Sequence, residues 1–146
     1  AESQNPLLSD RDVEFLLYEV LSAERLLALP AFADHTREGF DLILATTRRL
    51  ARELLYPAYK PMDTDPFVFE GGRVRVHPRM REIYPRLVDS GLISASRPVE
   101  VGGMQLPLTI STMAMAYLMA ANLGAAGFAF LTTGAAHLVE QIARAV

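Results

Sequence analysis

Residues 98–139 read PVEVGGMQLPLTISTMAMAYLMAANLGAAGFAFLTTGAAHLV, and this stretch decides how the chain folds. Of the chain's 14 basic and 17 acidic residues, only Glu140 and Arg144 follow Glu100. A helix on the surface of a soluble protein normally keeps a charged stripe toward water. Helices formed by this stretch therefore need a cover, which is lipid, the rest of the chain or a partner.

A membrane span is the first possible cover, and it needs about 20 consecutive apolar residues. Here the run is interrupted at Gln105, Pro107, Asn122, Gly124 and Gly127, and it is rich in Ala, Gly, Ser and Thr rather than Leu, Ile and Val. No basic cluster flanks it to set an orientation across a bilayer. We therefore expect a buried helical hairpin and no membrane span.

The composition excludes several classes of function. A length of 146 residues suits one domain with a real core. The net charge is −3 with dispersed positive residues, so no nucleic-acid-binding footprint is present, and the absence of cysteine excludes disulfides and thiol chemistry. The N-terminal sequence AESQNPLLSDRD lacks the basic-then-apolar order of a secretion signal, so we expect a cytoplasmic protein.

The N-terminal third predicts helices. Ser9 followed three residues later by Asp12 resembles a capping box. Apolar residues then recur at helical spacing, which predicts a helix from about Asp10 to Leu21. A shorter helix is predicted over residues 22–29, and Pro30 is expected to end it.

The longest apolar stripe begins after Thr36, a potential helix cap, and predicts a helix whose length Pro57 limits, although its last residues to Tyr59 could stay helical. An arginine-rich flank accompanies this stripe, formed by Arg48, Arg49 and Arg52. We interpret this flank as a solvated face, with contact to an acidic neighbouring domain as the alternative.

The helical period disappears from residue 60 to residue 77. Alternating residues on both sides of Gly71-Gly72 predict a small β-hairpin near residues 67–76. Two such short strands are not stable alone, so the hairpin is an excursion on a helical body.

A short helix is expected from Pro78 to Gly91, with a kink or break at Pro85. A loop follows over Glu100–Pro107, where the double glycine supplies backbone freedom. The next helix opens at Pro107 or Leu108 and closes around residues 122–124. A last helix is expected to begin within residues 126–131, or only after Gly134.

These elements predict an all-α fold, an orthogonal or up-down bundle of about five to six helices with one β-hairpin. Catalytic machinery is not evident within it. The three histidines, His35, His77 and His137, are scattered without metal-ligand spacing, so no metal site is expected. Asp63 and Asp65 lie in a proline-rich turn, where carboxylates are more often solvated or capping residues than a catalytic pair.

The order of the parts resembles the N-terminal helical domain of the flavin-dependent acyl-CoA dehydrogenases. That family's loop typically reads E-x-x-G-G-x-G-x-P, and here Glu100–Pro107 reads EVGGMQLP. The segments PLLSDRDVEFLLYEVL and FEGGRVRVHPRMREIY resemble the larger bacterial branch, which has 3-methylmercaptopropionyl-CoA dehydrogenase-like members. Gln105 stands where glycine is commoner, which we interpret as variation of the branch.

The resemblance implies that residues 1–146 form the N-terminal helical domain of a three-domain flavoenzyme. In such enzymes a glutamate base takes the α-proton and FAD takes the β-hydride of an acyl-CoA, which gives a trans-2-enoyl-CoA. The electrons then pass to an electron-transfer flavoprotein. The base and most of the FAD site belong to the middle and C-terminal domains, so no catalytic residue is expected here and this piece alone is expected to be inactive.

For this chain the resemblance implies a wall of the acyl and flavin site, and it leaves its flavin-contacting residues unknown. The residues expected along the acyl chain are Met104, Met119, Phe128, Phe130, Leu131 and Thr132. The small residues between Ala120 and Ala129 would let flavin and acyl chain approach closely. The resemblance also implies a homo-oligomer.

Two alternative roles for the uncharged stretch stay open. A stand-alone helical interaction module could use the apolar hairpin to dock another protein, and a membrane-inserted hairpin would make solubility depend on detergent. Packing within the helical core is the simplest role for any single one of the six residues.

Overall fold

A computed structural model describes residues 8–145, and it confirms an all-α fold with one β-hairpin. The elements, in chain order, are α1 (Asp10–Glu14), α2 (Arg37–Leu50), α3 (Tyr56–Thr64), β1 (Val68–Glu70), β2 (Arg73–Arg75), α4 (Met80–Asp89) and α5 (Leu108–Ala145). Short 3-10 turns connect them at Ala23–Ala28, Pro30–Phe32, Leu92–Ser94 and Val99–Val101.

The predicted N-terminal helix is confirmed. The hydroxyl of Ser9 accepts a hydrogen bond from the backbone N–H of Asp12, so Ser9 caps α1. The helix continues from α1 as a wider π-helical segment, Phe15–Val20. Its buried side, Val13 and Leu17, packs into the core.

The long helix extends further than the sequence predicts. A π-helical segment, Ala51–Leu55, joins α2 to α3, and α3 passes through Pro57 and Pro61 to end at Thr64. The prediction that the helix ends by Tyr59 is therefore wrong. Because the wider turn lets Tyr56 donate to the carbonyl of Ala51, five residues back, the backbone adjusts just before the proline that lacks an N–H.

The β-hairpin forms where it is predicted. Strands β1 and β2 pair antiparallel, with Val68 opposite Arg75 and Glu70 opposite Arg73. Gly71 and Gly72 both have positive φ, 58° and 74°, which suits the tight turn between such strands. All six strand residues are exposed, so the hairpin projects from the helical body.

Helix α4 is not broken at Pro85 and continues to Asp89. Gly91 follows the helix cap, and its φ of 73° favours glycine. An added Cβ at Gly91 would lie 2.4 Å from Cε of Met104, so the helix end and the double-glycine loop pack closely.

Helix α5 contains one extended residue, Asn122, with φ −164° and ψ 92°. We call residues 108–121 α5a and residues 123–145 α5b. The side-chain oxygen of Asn122 accepts a hydrogen bond from Ala125 N, so Asn122 caps α5b. The last helix therefore starts at residue 123, earlier than predicted, because the residue that ends one helix also begins the next.

The core lies where α5a packs on α2 and its π-helical extension. Phe40, Leu55, Ile110 and Leu118 are fully or almost fully buried there. The arginine-rich flank of the long helix is not simply solvated, because Arg48 (2.6 Å) and Arg52 (3.5 Å) both reach the carboxylate of Asp10. These pairs fasten α1 to α2.

Candidate functional site

Two open grooves border α5b, and both contain residues that the sequence predicts along an acyl chain. The first, which we call the apolar groove, lies between α5a, α5b and the turn at Leu92–Ser94 and has a volume of about 260 Å³. Its lining residues are Leu92, Ile93, Ser96, Leu108, Ser111, Thr112, Met115, Ala116, Met119, Phe130 and Thr133.

One hydrogen bond sets the width of the apolar groove. The hydroxyl of Thr133 on α5b donates to the carbonyl oxygen of Ile93 at 2.7 Å. This bond holds α5b against the turn that follows α4. The side chains of Met115, Met119 and Phe130 line the groove from both halves of α5, and the flexible methionines suit an apolar ligand of variable shape.

The second groove, which we call the hairpin groove, lies between β2, α4 and α5b and has a volume of about 520 Å³. Its lining residues are Val74, Arg75, Val76, His77, Met80, Arg81, Tyr84, Phe128 and Thr132. Phe128 contacts Phe67 edge to face, with ring centroids 6.1 Å apart. This contact joins the segment before β1 to α5b.

The structure does not bring the six predicted site residues into one pocket. Met119 and Phe130 line the apolar groove, whereas Phe128 and Thr132 line the hairpin groove. Leu131, which lies between these pairs on α5b, is 79% exposed. The predicted site residues are therefore divided between two grooves, one on each side of α5b.

Met104, the sixth predicted residue, packs against Gly91 at the end of α4. It lines neither groove. Its partly buried side chain joins the hydrophobic core, so its position supports packing of the loop.

The double-glycine loop has a strict steric requirement at Gly103. A Cβ added there would lie 2.0 Å from the carbonyl oxygen of Arg97, a distance that real Cβ atoms essentially never show. The same carbonyl accepts a hydrogen bond from Gln105 N at 2.8 Å. The loop therefore doubles back on residue 97, and only glycine allows this contact.

Gln105 occupies a backbone conformation that favours glycine, with φ 51°. Its side-chain amide donates to the carbonyl oxygen of Ala31 at 2.6 Å. His35 Nε2 lies 3.0 Å from the carbonyl oxygen of Gln105, to which it donates. These two bonds offset the strain and connect the loop to the N-terminal turns, a role that a glycine could fill only in part.

Glu140, the first charged residue after Glu100, forms an ion pair. Glu140 on α5b pairs with the guanidinium of Arg97, and both side chains are largely buried, 14% and 13% exposed. Arg97 also carries the carbonyl that contacts Gly103 and Gln105. The ion pair thus joins the last helix to the base of the double-glycine loop.

The remaining ionisable residues of note surround Asp10. Tyr117 on α5a donates to its carboxylate at 3.2 Å, and Arg48 and Arg52 approach the same group. Burial, followed by the negative charge of Asp10 and this hydrogen bond, raises the pKa of Tyr117 to about 12. The sequence gives no local signal for this cluster, because its members lie up to 107 positions apart.

The histidines are placed apart from one another. His137 is exposed on α5b, and His77 Nε2 lies 4.0 Å from a carboxylate oxygen of Asp65. No group of three His, Cys, Asp or Glu side chains that could hold a metal occurs among the residues that the structure describes.

The resemblance implies FAD, and α5b could form one side of its site. Added Cβ atoms at Gly127 and Gly134 would meet nothing within 4 Å, so a planar ring system could approach the helix backbone closely at both positions. Both neighbouring grooves are open to the surface. The described residues leave space for a ring system beside α5b and do not enclose one.

Residues 108–143 are also apolar and long enough to cross a bilayer, by length and composition only. Of the most apolar 18-residue window, 44% is buried inside the chain, and Asn122 interrupts the helix. The expectation that no segment spans a membrane stays a prediction.

Comparison with known proteins finds a weakly similar acyl-CoA dehydrogenase. No protein-family model matches the chain. The chain is 27% identical over 125 residues to the 3-methylmercaptopropionyl-CoA dehydrogenase of Ruegeria pomeroyi. The match covers 86% of this chain and 21% of that protein, so the chain spans about a fifth of its relative's length. This weak similarity to an acyl-CoA dehydrogenase supports the resemblance of the sequence to that family in part.

Proposed function

We propose that this chain is the N-terminal helical domain of an FAD-dependent acyl-CoA dehydrogenase that converts an acyl-CoA to a trans-2-enoyl-CoA. The observation that carries the proposal is the similarity to one such enzyme over 86% of the chain. The uncovered apolar surface of α5b supports it, because Leu131, Leu138 and Ile142 are 57–79% exposed. A face of this kind marks a contact with another domain or a ligand.

In the proposed enzyme this chain binds and shields rather than reacts. Bound FAD would supply the acceptor for the β-hydride. The apolar groove, with Met119 and Phe130 across from each other, would receive the acyl tail and exclude water from it. The exposed ridge of α5b would be covered by the middle and C-terminal domains, which would also provide the base.

The wider parts of this proposal concern the whole protein. They are an acyl-CoA substrate, electron transfer to an electron-transfer flavoprotein, a homo-oligomeric assembly and a cytoplasmic location in a bacterium. Each is an expectation from the resemblance.

The proposal is tested on the full polypeptide as its gene encodes it. We expect the purified protein to show the visible absorbance of bound FAD, and a suitable acyl-CoA to bleach that absorbance when no electron acceptor is present. A protein without flavin whose properties do not change with acyl-CoA would overturn the proposal.

The groove is tested with a matched pair of substitutions. Phe130→Ala should shift the preference toward longer or bulkier acyl chains, measured as kcat/KM over a chain-length series. Leu42→Ala, at a residue that is 67% exposed on α2, should leave the preference unchanged. Equal effects of the two substitutions would remove the apolar groove from the proposal.

The second candidate function is a helical module that docks another protein on α5b. The exposed row of Leu131, Leu138 and Ile142 favours it. A flavin-free, monodisperse protein that loses one specific partner on Leu138→Glu would support this alternative.

A further inference from the structure

Two arginines line the hairpin groove without a counter-charge. Among residues 8–143, the ion pairs involve other basic residues, and no carboxylate lies within 4.0 Å of the guanidinium of Arg75 or Arg81. Neither guanidinium makes a hydrogen bond to a described side chain or backbone group. The groove therefore carries two positive charges that no described carboxylate within ion-pair distance neutralises.

Acidic residues of the neighbouring segments do not line the groove. Glu70 stands opposite Arg73 in the strand pair, and Glu82 lies 4.0 Å from Arg79. Asp65 lies beside His77 at 4.0 Å. Arg75 and Arg81 therefore place two formal positive charges in the lining, and no acidic residue is part of it.

The other lining residues add two aromatic side chains, Tyr84 and Phe128, to the groove. Met80, Arg81 and Tyr84 share one face of α4, because they are spaced at three and four positions. Phe128 lines the groove from α5b, and the hydroxyls of Tyr84 and Thr132 are 3.5 Å apart at the junction of the two helices. The volume of about 520 Å³ falls within the range of small-molecule sites.

We propose that the hairpin groove binds a nucleotide, with its phosphates at Arg75 and Arg81 and its base against Tyr84 and Phe128. The planar guanidinium fork matches phosphate oxygens in pairs, and an aromatic face accepts any base by stacking. This inference stands on the hairpin groove alone and does not rest on the proposed enzyme activity. Such a nucleotide could be free, or it could be the nucleotide part of a coenzyme A thioester.

The test is calorimetric titration of the full polypeptide with ADP, adenosine and inorganic phosphate. We expect ADP to bind at least tenfold more tightly than adenosine or phosphate alone, because the groove holds both a base and phosphates. Arg81→Gln should weaken ADP binding by tenfold or more, and Phe128→Ala should weaken both ADP and adenosine.

The matched control is Arg86→Gln, which removes the same charge from the same helix but does not line the groove. An equal loss in both arginine variants would show a general charge effect and overturn the proposal, as would the absence of ADP binding to the unmodified protein. Retained flavin bleaching in a protein that does not bind ADP would overturn this inference and leave the proposed function standing.

Coenzyme A identifies the source of the nucleotide. If coenzyme A competes with ADP in the unmodified protein and loses affinity in Arg81→Gln, the groove binds the nucleotide end of a thioester. If ADP binds with the predicted variant pattern and coenzyme A does not compete, the groove binds a free nucleotide.

Discussion

The two halves of α5 have the same lack of charge but opposite surroundings. In α5a, Ile110, Ala114 and Leu118 are no more than 3% exposed, since α2 and its extension cover them. In α5b, beyond Phe130, Leu131 and Leu138 are 79% and 62% exposed. An uncharged helix therefore needs a cover, but its sequence does not say whether that cover lies in the same chain.

The difference follows from where neighbours are available. α5a packs on α2 and its π-helical extension, whereas α5b contacts the turn at Leu92–Ser94 through Thr133 and α4 through Thr132. Leu131, Leu138 and Ile142 on α5b stay exposed. Asn122 thus separates a buried half, α5a, from an exposed half, α5b. Substitutions in the two halves should change the free energy of unfolding by different amounts.

The largest contrast should come from one substitution made on each side of Asn122. Leu118→Ala removes a side chain that is 1% exposed and should lower the free energy of unfolding by about 2–5 kcal/mol. Leu131→Ala, at 79% exposure, should change it by no more than about 0.5 kcal/mol. Urea unfolding of both variants, followed by circular dichroism, measures the difference. A large loss in Leu131→Ala would mean that another part of the protein already covers this residue.

The second largest effect is expected in the double-glycine loop that precedes α5a. Gly103→Ala places a Cβ 2.0 Å from the carbonyl oxygen of Arg97, so the loop must shift, and we expect a loss of about 3 kcal/mol. Gly127→Ala on α5b is the control, because its Cβ would meet nothing within 4 Å. Thermal unfolding distinguishes the two variants. A Gly103→Ala variant as stable as the parent would contradict the described loop path.

Much of this fold can be predicted from local signals. The cap at Ser9, the turn at Gly71-Gly72 and the helix end at Gly91 each depend on residues within four positions of one another. The uncharged stretch also correctly indicates two helical segments and the end of the first around residues 122–124, but it does not indicate that the second starts at residue 123. Such features are readable because the chemistry that fixes them is close in sequence.

The features that the sequence does not reveal depend on distant contacts or on a wider helical turn. Pro57 normally limits a helix, but the π-helical segment before it removes the conflict. The cluster around Asp10 joins three elements, and no periodicity predicts it. Four of the six candidate site residues lie on α5b, but Phe130 lines one groove whereas Phe128 and Thr132 line the other, so their division needs the structure.

The third prediction concerns pH and the buried half. The pKa of Tyr117 is raised from its ordinary value of 10.0 to about 12, so the unfolded chain releases this proton at lower pH than the folded chain. The stabilisation is fully present below pH 10 and is lost as the pH rises through 12. Tyr117→Phe should flatten this part of the stability curve, whereas Tyr59→Phe, at an exposed residue, should not. Chemical unfolding between pH 9 and about pH 12 measures how the free energy of unfolding changes with pH. If Tyr117→Phe leaves that pH dependence unchanged, the described burial of Tyr117 is contradicted.

The fourth prediction addresses the boundary residue between the halves. Asn122→Ala removes the cap on Ala125 N and the bond from its amide to the carbonyl oxygen of Leu55, so we expect a loss of about 1–2 kcal/mol. Asn122→Ser keeps a capping oxygen without placing a charge at this buried position and should lose less. The free energy of unfolding of both variants gives the comparison. Equal losses would show that the amide contact to Leu55, rather than the cap, holds the two halves together.

The smallest effect on stability should occur at Gly134, and it separates stability from function. Gly134→Ala lies inside α5b with nothing within 4 Å of its added Cβ, so helix propensity alone should raise stability by up to about 1 kcal/mol. If a flavin or another domain approaches this helix backbone, as the proposed function requires, the same methyl group should weaken flavin retention in the full polypeptide. A variant that is more stable and keeps its flavin would show that this face of α5b is not the wall we propose. A more stable variant that loses flavin would show that the glycine is kept for the ligand rather than for the fold.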